Sequence, residues 1–324
     1  MVKRFTVDLK DRKILAILDW DARATNTSIA KEIKLSKKAV EYRIKKLESE
    51  GIICGYYPVI DFMKMGYGIY RIFMKLKGEN QKVRERIEDY VKKDKRIKWS
   101  LWMGDNYAIG FDIWSKSVVE VKEVFMDFNK KFGEYISYRV FGVSAKAYHY
   151  PYRFLLGRVD KRMMLVSESD ELVEIDELDR KILKELVKNS RQNLVGLGKK
   201  VGCGYKTVAN RLKSLKERGI LLGTRALIEP EALGYKWYKL LLNFENNIGE
   251  AYNKSDSFFK NLLETIYVVD YMGEEDYDVE LAVKSTDDFF KIIERLKEEL
   301  GRNLKSYSYI RFLKTIKISY LPNL

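Results

Sequence analysis

Two stretches of this chain repeat one another at a fixed distance. Residues 8–67 align with residues 176–235 at a constant shift of 168 positions without a gap, and 20 of the 60 aligned positions are identical. Chance alone gives roughly four identities over such a length. The matches include Gly51 with Gly219 and Gly66 with Gly234, so the spacing is kept through loops. The chain is therefore predicted to contain two tandem copies of one unit.

Each copy begins with a segment typical of a helix-turn-helix domain. In the first copy, apolar residues recur at helical spacing after the N-cap residue Asp8, a short second helix follows, and Ser36 caps a third helix that runs to about Glu50. The extended sequence IICGYYPVI then predicts a β-hairpin wing. Three short helices and a β-ribbon predict a winged helix-turn-helix, whose third helix enters the major groove of DNA.

We expect the third helix of each copy to bury one face and to present the opposite face to DNA. An apolar stripe marks the buried face, and it consists of Val40, Ile44 and Leu47 in the first copy and of Val208, Leu212 and Leu215 in the second. The opposite face is basic. The candidate DNA-binding residues on or beside it are Ser36, Lys37, Lys38, Glu41, Tyr42, Arg43, Lys45, Lys46, Tyr205, Lys206, Thr207, Asn210, Arg211 and Lys213.

These candidates have different expected roles. Lysines shared by both copies predict phosphate contacts, whereas positions that differ, such as Tyr42 and its counterpart Asn210, are better candidates for reading bases. Arg43 and Arg211 suit either a phosphate or an intradomain carboxylate, and the whole face can also be a solvated charged surface. Residues 204–218 carry five basic residues and one acidic residue, against five and three in residues 36–50. The second copy should therefore contribute more of the salt-dependent affinity.

About a hundred residues follow in each copy with the order strand, helix, strand, strand, helix, strand. The predicted ranges are 67–77, 81–93, 97–103, 107–115, 118–132 and 136–150, then 235–245, 255–263, 265–272, 277–284, 286–300 and 304–320. This order predicts an α+β fold of ferredoxin-like type, an antiparallel sheet with two helices on one face. The uncovered face needs a partner, so we expect the two sheets to pack together as an intramolecular pseudo-dimer.

The predicted domains follow from these patterns. Winged helix-turn-helix domains are expected at 1–62 and 175–230, and ferredoxin-like domains at 63–156 and 231–324. A linker is predicted at 157–174, where polar and charged clusters interrupt the periodicity.

Several segments together resemble the leucine-responsive/asparagine regulator (Lrp/AsnC) family. They are DLKDRKILAIL, SKKAVEYRIKKLESEGII, GYYPVID and the glycine-containing turn before the third strand of the α/β domain. The resemblance covers nearly the whole chain, twice. It implies a transcription regulator that binds double-stranded DNA as a dimer and senses an amino acid or related small molecule between its α/β domains. The family usually has one unit per chain, so the fusion implies a fixed, asymmetric dimer. Because the two recognition helices differ, we expect an operator with two unlike half-sites.

The same resemblance implies an effector site at that turn. The family pattern is similar to Gly-x-Tyr-Asp, and the candidate effector-binding residues here are Gly104, Asp105, Tyr107, Gly273, Glu274, Asp276, Tyr277 and Asp278. Ala108 follows Tyr107, so the first copy lacks the carboxylate. Acidic groups and free N–H groups on such a turn can hold a ligand ammonium and carboxylate. Alternatively, the glycines only permit the turn and the acids only face water.

Composition limits the cellular setting. With 61 Lys and Arg against 47 Asp and Glu, the net charge of +14 favours polyanionic partners such as nucleic acid or an anionic membrane surface, or simply a soluble basic protein. The sequence has no apolar run of about 18 residues, so a cytoplasmic protein is expected. Cys54 and Cys203 are isolated from each other and from histidine, so we expect neither a metal site nor a cofactor. High Lys, Glu, Ile and Tyr contents are typical of a thermophile.

Two other functions stay open at this point. Some fused proteins with a similar doubled architecture are implicated in siroheme decarboxylation, which implies histidine and arginine near a tetrapyrrole carboxylate. The single histidine, His149, lies in the aromatic segment AKAYHYPYRF and suits a structural or a catalytic role. The sequence shows no nucleophile triad, Walker loop or metal cluster, so a regulator is predicted rather than an enzyme. A protein-interaction module with a vestigial DNA domain is the third alternative, and further homo-oligomerisation is left open.

Overall fold

The computed structural model describes residues 6–167 and 172–322. The first three helices are α1 (Leu9–Trp20), α2 (Asn26–Ile33) and α3 (Lys37–Ser49). Each begins where a side-chain oxygen accepts a hydrogen bond from an otherwise free backbone N–H, and these N-cap residues are Asp8, Thr25 and Ser36. The apolar faces of the three helices pack into one core, which confirms the predicted helical segment.

The rest of the first copy contains the predicted βαββαβ order. Its elements are β1 (Ile53–Ile60), β2 (Gly68–Leu76), α4 (Gln81–Lys93), β3 (Ile97–Asp105), β4 (Ile109–Ser115), α5 (Val118–Phe132), β5 (Ile136–His149) and β6 (Met164–Ser167). The predicted bounds of α4 and α5 are confirmed, and β2 to β5 agree with the prediction within two residues at each end. Element bounds are well predicted here because both helices are strongly amphipathic and begin at side-chain caps.

The second copy repeats this plan. Its elements are α6 (Glu177–Lys188), α7 (Leu194–Val201), α8 (Tyr205–Glu217), β7 (Leu221–Ile228), β8 (Lys236–Phe244), α9 (Ile248–Asn261), β9 (Thr265–Gly273), β10 (Tyr277–Val283), α10 (Thr286–Leu300) and β11 (Leu304–Ile318). The prediction that α9 begins at Ser255 was wrong. Asn247 caps the helix by accepting from the N–H of Glu250, and the fully buried Ala251 anchors its first turn. Gly249 and the polar residues around it conceal that turn in the sequence.

The strands of the two α/β domains form one closed ring. Its order is β2, β4, β3, β11, β8, β10, β9, β5 and back to β2, and each domain contributes four antiparallel strands. The two junctions are made by the longest strands: β5 pairs with β2 and then with β9, and β11 pairs with β8 and then with β3. The predicted pseudo-dimer is therefore joined by backbone hydrogen bonds at its edges, and the ring leaves few sheet edges unpaired.

The wing differs from the hairpin that was predicted. Each copy supplies one strand, and β1 pairs antiparallel with β7 of the other copy, with Tyr57 opposite Arg225. The prediction of a hairpin within IICGYYPVI was wrong because the sequence pattern shows an extended strand but not which strand satisfies its backbone groups. We call this shared two-stranded sheet the wing ribbon. It ties the two helix-turn-helix segments to each other.

The predicted linker at 157–174 is partly regular. Met164–Ser167 form β6, which pairs with Lys146–His149 of β5, and the N–H of Val173 donates to the carbonyl of Lys64. Residues 168–171 of that range lie outside the described residues, as do positions 1–5 and 323–324 of the terminal domain predictions. Val166 is buried in the core beside Tyr57 and Met164, so apolar burial overrides the polar composition of the range.

Helices cover only the outer face of the ring. The helices α4 and α5 pack on β2 and β4 through residues such as Ile87, Val124 and Phe128, and α9 and α10 pack on the second domain through Phe259 and Phe289. The inner face is left for side chains from both copies. Among the described residues, every helix is too short or too polar to cross a lipid bilayer.

Candidate nucleic-acid interface and barrel cavity

The recognition helices present the faces that were predicted. In α3 the stripe Val40, Ile44 and Leu47 is buried, whereas Lys38 and Lys45 are exposed and 66% of Tyr42 is accessible. Since the N-cap Ser36 accepts from the N–H of Ala39, this face begins at a defined point. Lys37 is exposed, and Glu41 pairs with Lys45 at 2.9 Å along the helix. The candidate Lys46 at the C-terminal end is half-buried.

The second recognition helix has the same design with different chemistry. The stripe of α8, Val208, Leu212 and Leu215, is buried, while Lys206, Asn210 and Lys213 are exposed on the opposite face. Gly204 takes the place of the capping serine and offers no side-chain hydrogen bond. Tyr205, 52% exposed, and the exposed Thr207 lie in the first turn. The two faces therefore differ in their polar groups.

Arg43 and Arg211 have partners inside their own domains. The guanidinium of Arg43 lies 2.8 Å from Asp8 and 2.7 Å from Asp11, and Arg211 lies 2.6 Å from Asp176 and 3.5 Å from Asp179. Of the two alternatives raised by the sequence, the structure shows the intradomain carboxylate in both copies. The arginine ties the recognition helix to the start of the first helix, because the same aspartates cap or line that helix.

Side chains of the predicted effector turn in the second copy are bonded to other residues of the protein. Tyr277 is fully buried and its hydroxyl donates to Asp256 at 2.6 Å. Asp278 is buried beside Lys239 at 3.1 Å, and Asp276 accepts from the N–H of Phe244 at 2.7 Å. The tyrosine and both aspartates therefore stabilise the fold through these contacts.

The remaining turn residues join the two copies. The hydroxyl of Tyr107 donates to Glu275 at 2.9 Å, and Glu274 accepts from Tyr138 at 3.3 Å. Gly104 and Asp105 end β3, and Gly273 ends β9 against the backbone of Phe141. The space lined by Arg71, Glu275 and Asp278 measures about 10 Å³, which is room for about one water molecule. It does not accommodate an amino acid.

A larger space lies at the mouth of the strand ring. We call it the barrel cavity; its volume is about 410 Å³, and it is bounded by the inner face of the ring, the wing ribbon and the C-terminal residues after β11. Aromatic rings dominate its wall, and they include Trp99, Trp114, Trp237, Tyr267, Tyr271 and Phe312. The mouth of a barrel with apolar walls and a few polar groups is a common place for small-molecule sites.

A charged network forms the floor of the barrel cavity. Arg71 and Lys239 occupy equivalent positions of the repeat; Arg71 lines the cavity, and Lys239 is fully buried. Arg71 lies 2.9 Å from Asp112 and also pairs with Asp278, while Lys239 lies 3.1 Å from Asp278 and 2.9 Å from Glu280. Burial opposes the charge of Arg71, but Asp112 and the other nearby acids raise its pKa well above the ordinary value. Burial raises the pKa of Glu280, although Lys239 opposes that shift.

His149 lies on the wall of the barrel cavity near the end of β5. Its ring packs edge-on against Tyr267 at 4.8 Å, and its Nδ1 atom is buried without a hydrogen-bond partner. Burial, with Arg225 nearby, lowers the pKa of His149 to about 3, so the imidazole is neutral at physiological pH. Within the part of the chain that the structure describes, no group of three or more His, Cys, Asp or Glu side chains is placed to hold a metal ion.

Sequence reasoning missed the barrel cavity. Its polar residues come from five strands of the ring, and the strands of the wing ribbon cover it, so no local motif brings them together. One signal was available: at the same repeat position, Arg71 and Lys239 each stand directly before three apolar residues, 72–74 and 240–242. A cation at an inward strand position requires a buried acid as its partner.

Comparisons with known proteins agree with the helix-turn-helix segments. The family described as "Winged helix-turn-helix DNA-binding" matches residues 7–53, and the "AsnC-type helix-turn-helix domain" matches residues 175–216. An HTH-type transcriptional regulator of Pyrococcus abyssi is 38% identical over 91 residues, which are 28% of this chain and 60% of that protein. The chain thus spans 60% of the length of this relative. The regulator FL11 of the same organism is 30% identical over 119 residues, 36% of this chain and 76% of FL11.

One solved structure is similar over almost the full length. The siroheme decarboxylase NirDL superposes with a TM-score of 0.63, covering 95% of this chain and 92% of NirDL. The sequences are 14% identical, so this likeness shows the fold alone. It does show that two fused units of this type form a known arrangement.

Proposed function

Because this chain belongs to the Lrp/AsnC family of helix-turn-helix regulators, with two units fused in one polypeptide, we propose that it is a sequence-specific DNA-binding transcriptional regulator. The observation that carries the proposal is the pair of exposed basic faces, Lys38 with Lys45 on α3 and Lys206 with Lys213 on α8, each opposite a buried stripe. Helices of this type bind the major groove and use lysines to anchor phosphates.

Each face contains residues suited to phosphate contacts and a residue suited to reading bases. We assign phosphate contacts to the shared lysines and base reading to Tyr42 and Asn210, while Arg43 and Arg211 hold the recognition helices in place. An Asn side chain pairs with two atoms of adenine, which a Tyr side chain cannot do. The operator is therefore expected to have two unlike half-sites, which nuclease footprinting on a selected fragment would reveal.

Salt-dependent DNA binding tests this proposal. The protein is used to select fragments from a genomic pool, and affinity for one selected fragment is measured between low and physiological salt. Lys206→Ala should reduce the salt slope by ~1 and weaken binding to all fragments. Lys122→Ala, an exposed lysine on α5 outside the interface, is the matched control and should leave the slope unchanged. Equal affinity for unrelated fragments at every salt concentration would contradict sequence-specific regulation.

We place the small-molecule effector implied by the family in the barrel cavity. The turn residues predicted from the sequence are engaged in the fold, and the space beside them measures about 10 Å³ against about 410 Å³ at the ring mouth. The wing ribbon forms one wall of that cavity and also joins the two DNA-binding segments. A ligand there would contact the element that sets their relative position.

A decarboxylase-like enzyme is the second candidate function. It is favoured by His149 on a cavity wall in a fold that a siroheme decarboxylase shares. The solved NirDL complex contains an iron-uroporphyrin III analogue, and such porphyrins carry several carboxylates. More acids than bases line the cavity here, which opposes such a substrate. Titration of the protein with iron-uroporphyrin III tests this candidate. A shift in the Soret band of the porphyrin that is lost in His149→Ala would favour the enzyme.

A further inference from the structure

The barrel cavity has the opposite charge from the protein as a whole. Among the described residues, its wall carries the carboxyl groups of Asp112, Glu229, Glu231 and Glu280 against the basic side chains of Arg71 and Lys314. Beneath the wall, the buried Lys239 is shared by Asp278 and Glu280, so acids outnumber bases here too. The complete sequence has a net charge of +14. An acidic enclosure in a basic protein opposes an anionic ligand and favours a cationic one, because charges interact more strongly in a partly desolvated site.

Both basic side chains on the wall already have acidic partners. Arg71 is paired with Asp112 and Asp278 inside the ring, and Lys314 lies 2.7 Å from Glu88. Glu229 is the better candidate for a ligand partner, since it accepts a long hydrogen bond of 3.4 Å from the N–H of Glu231. Burial raises the pKa of Glu229 because its charged form is partly desolvated, and a cation beside it would stabilise that charged form.

The aromatic wall already stabilises cations from the protein. The guanidinium of Arg71 lies 4.2 Å from the centroid of the Tyr271 ring and 5.8 Å from that of Trp99, and Lys239 lies 5.9 Å from Trp99. Beside them, Trp237 stacks on Phe312 with centroids 5.3 Å apart and planes at 25°. These faces offer both cation–π attraction and a flat stacking surface.

We propose that the barrel cavity binds a planar organic cation, such as a charged nitrogen heteroaromatic, as its ligand. The ring of the ligand packs among Trp99, Trp237 and Phe312, and its charge faces the carboxylate of Glu229. A ligand of this class would be the effector of the regulator. Its binding can be measured without DNA, and only its effect on DNA binding rests on the proposed function.

Three aromatic probes of similar size and different charge test the ligand class without DNA. They are the cation thioflavin T, its uncharged benzothiazole analogue without the N-methyl group, and the anion 8-anilinonaphthalene-1-sulfonate. Trp99, Trp114 and Trp237 line the cavity, so tryptophan quenching reports binding together with probe fluorescence and calorimetry. We expect thioflavin T to bind about tenfold or more tightly than the neutral analogue, and the anion to bind most weakly.

Two variants locate the binding. Glu229→Gln should weaken thioflavin T binding by about three- to tenfold and should not change binding of the neutral analogue. Glu123→Gln, which removes the same charge from the exposed outer face of α5, should have no effect. Equal affinity for the cation and its neutral analogue, tighter binding of the anion, binding of no probe, or equal effects of the two variants would each overturn the proposal. The salt-dependent DNA assay of the unliganded protein separates such a failure from failure of the regulator function.

Discussion

Arg23 and Arg191 occupy equivalent positions of the repeat, 168 residues apart, and each donates hydrogen bonds to the backbone beside the other. The guanidinium of Arg23 contacts the carbonyls of Ser190 at 2.7 Å and Gln192 at 3.0 Å. Arg191 contacts the carbonyls on both sides of Arg23, including that of Ala24 at 2.8 Å. This reciprocal contact fixes the two helix-turn-helix segments against each other.

Removing either arginine should loosen that junction. Because each deletion leaves partly buried carbonyls without a charged donor, Arg23→Ala and Arg191→Ala are each expected to lower the free energy of unfolding by about 1.5–3 kcal/mol. Urea denaturation measures the change. Arg302→Ala, at an exposed position far along the chain, is the control and should change stability by less than about 0.5 kcal/mol. Equal effects for all three variants would contradict the proposed role.

A buried ion pair is present on one side of the repeat only. Asp19 and Arg225 are 2.5 Å apart and almost fully buried, whereas their counterparts are Val187 and Tyr57. Asp19→Val alone should cost about 3–5 kcal/mol, because it leaves an uncompensated guanidinium in the interior. Asp19→Val with Arg225→Tyr, which copies the other unit, should cost less than the sum of the two single changes. A double-mutant cycle by urea denaturation measures this coupling, and strict additivity would refute it.

Protonation of His149 should destabilise the fold in acid. Its pKa is lowered to about 3 in the native protein by burial, while an unfolded histidine titrates near about 6.5. Between these values the unfolded chain binds the extra proton, so this contribution to the free energy of unfolding falls as the pH falls from about 6.5 towards 3, by at most ~1.4 kcal/mol per pH unit.

The variant His149→Gln isolates this effect. Other groups titrate in both proteins, so the difference between the two stability profiles reports His149 alone. We expect the wild type to lose stability more steeply than His149→Gln between pH 6.5 and 4.5, as measured by denaturant titration at each pH. Parallel profiles would mean that His149 is not held neutral in the folded state.

Two glycines at corresponding turns should respond differently to alanine. A Cβ at Gly273 would lie 2.4 Å from the carbonyl oxygen of Phe141, while at Gly104 the nearest atom is a flexible Arg311 nitrogen at 3.6 Å. Gly273→Ala should therefore cost about 1–3 kcal/mol, because the backbone of β5 must shift. Gly104→Ala should be nearly neutral. Thermal and urea unfolding compare them, and a similar loss in both would contradict the close packing of Gly273.

Much of the fold follows from local patterns. The helical stripe Val40, Ile44 and Leu47, the cap Ser36 and the bounds of α4 and α5 are readable because a helix closes its own hydrogen bonds and buries one face. The exposed candidates Lys38 and Lys206 follow from the same periodicity. The partners of Arg43 and Arg211 were left as two alternatives, since charge alone does not say which nearby acid or phosphate it meets.

The sequence by itself determined that two copies of one unit are present, which elements each contains and which helix faces are basic. Only the tertiary structure decided that the wings of the two copies pair with each other, that β5 and β11 close the strands into a ring, and that Arg71 and Lys239 share Asp278 inside it. The physical reason is the range of the interactions. Helix periodicity is encoded by residues three and four positions apart, whereas strand pairing and cavity walls join residues far apart in the chain, whose backbone groups have several possible partners.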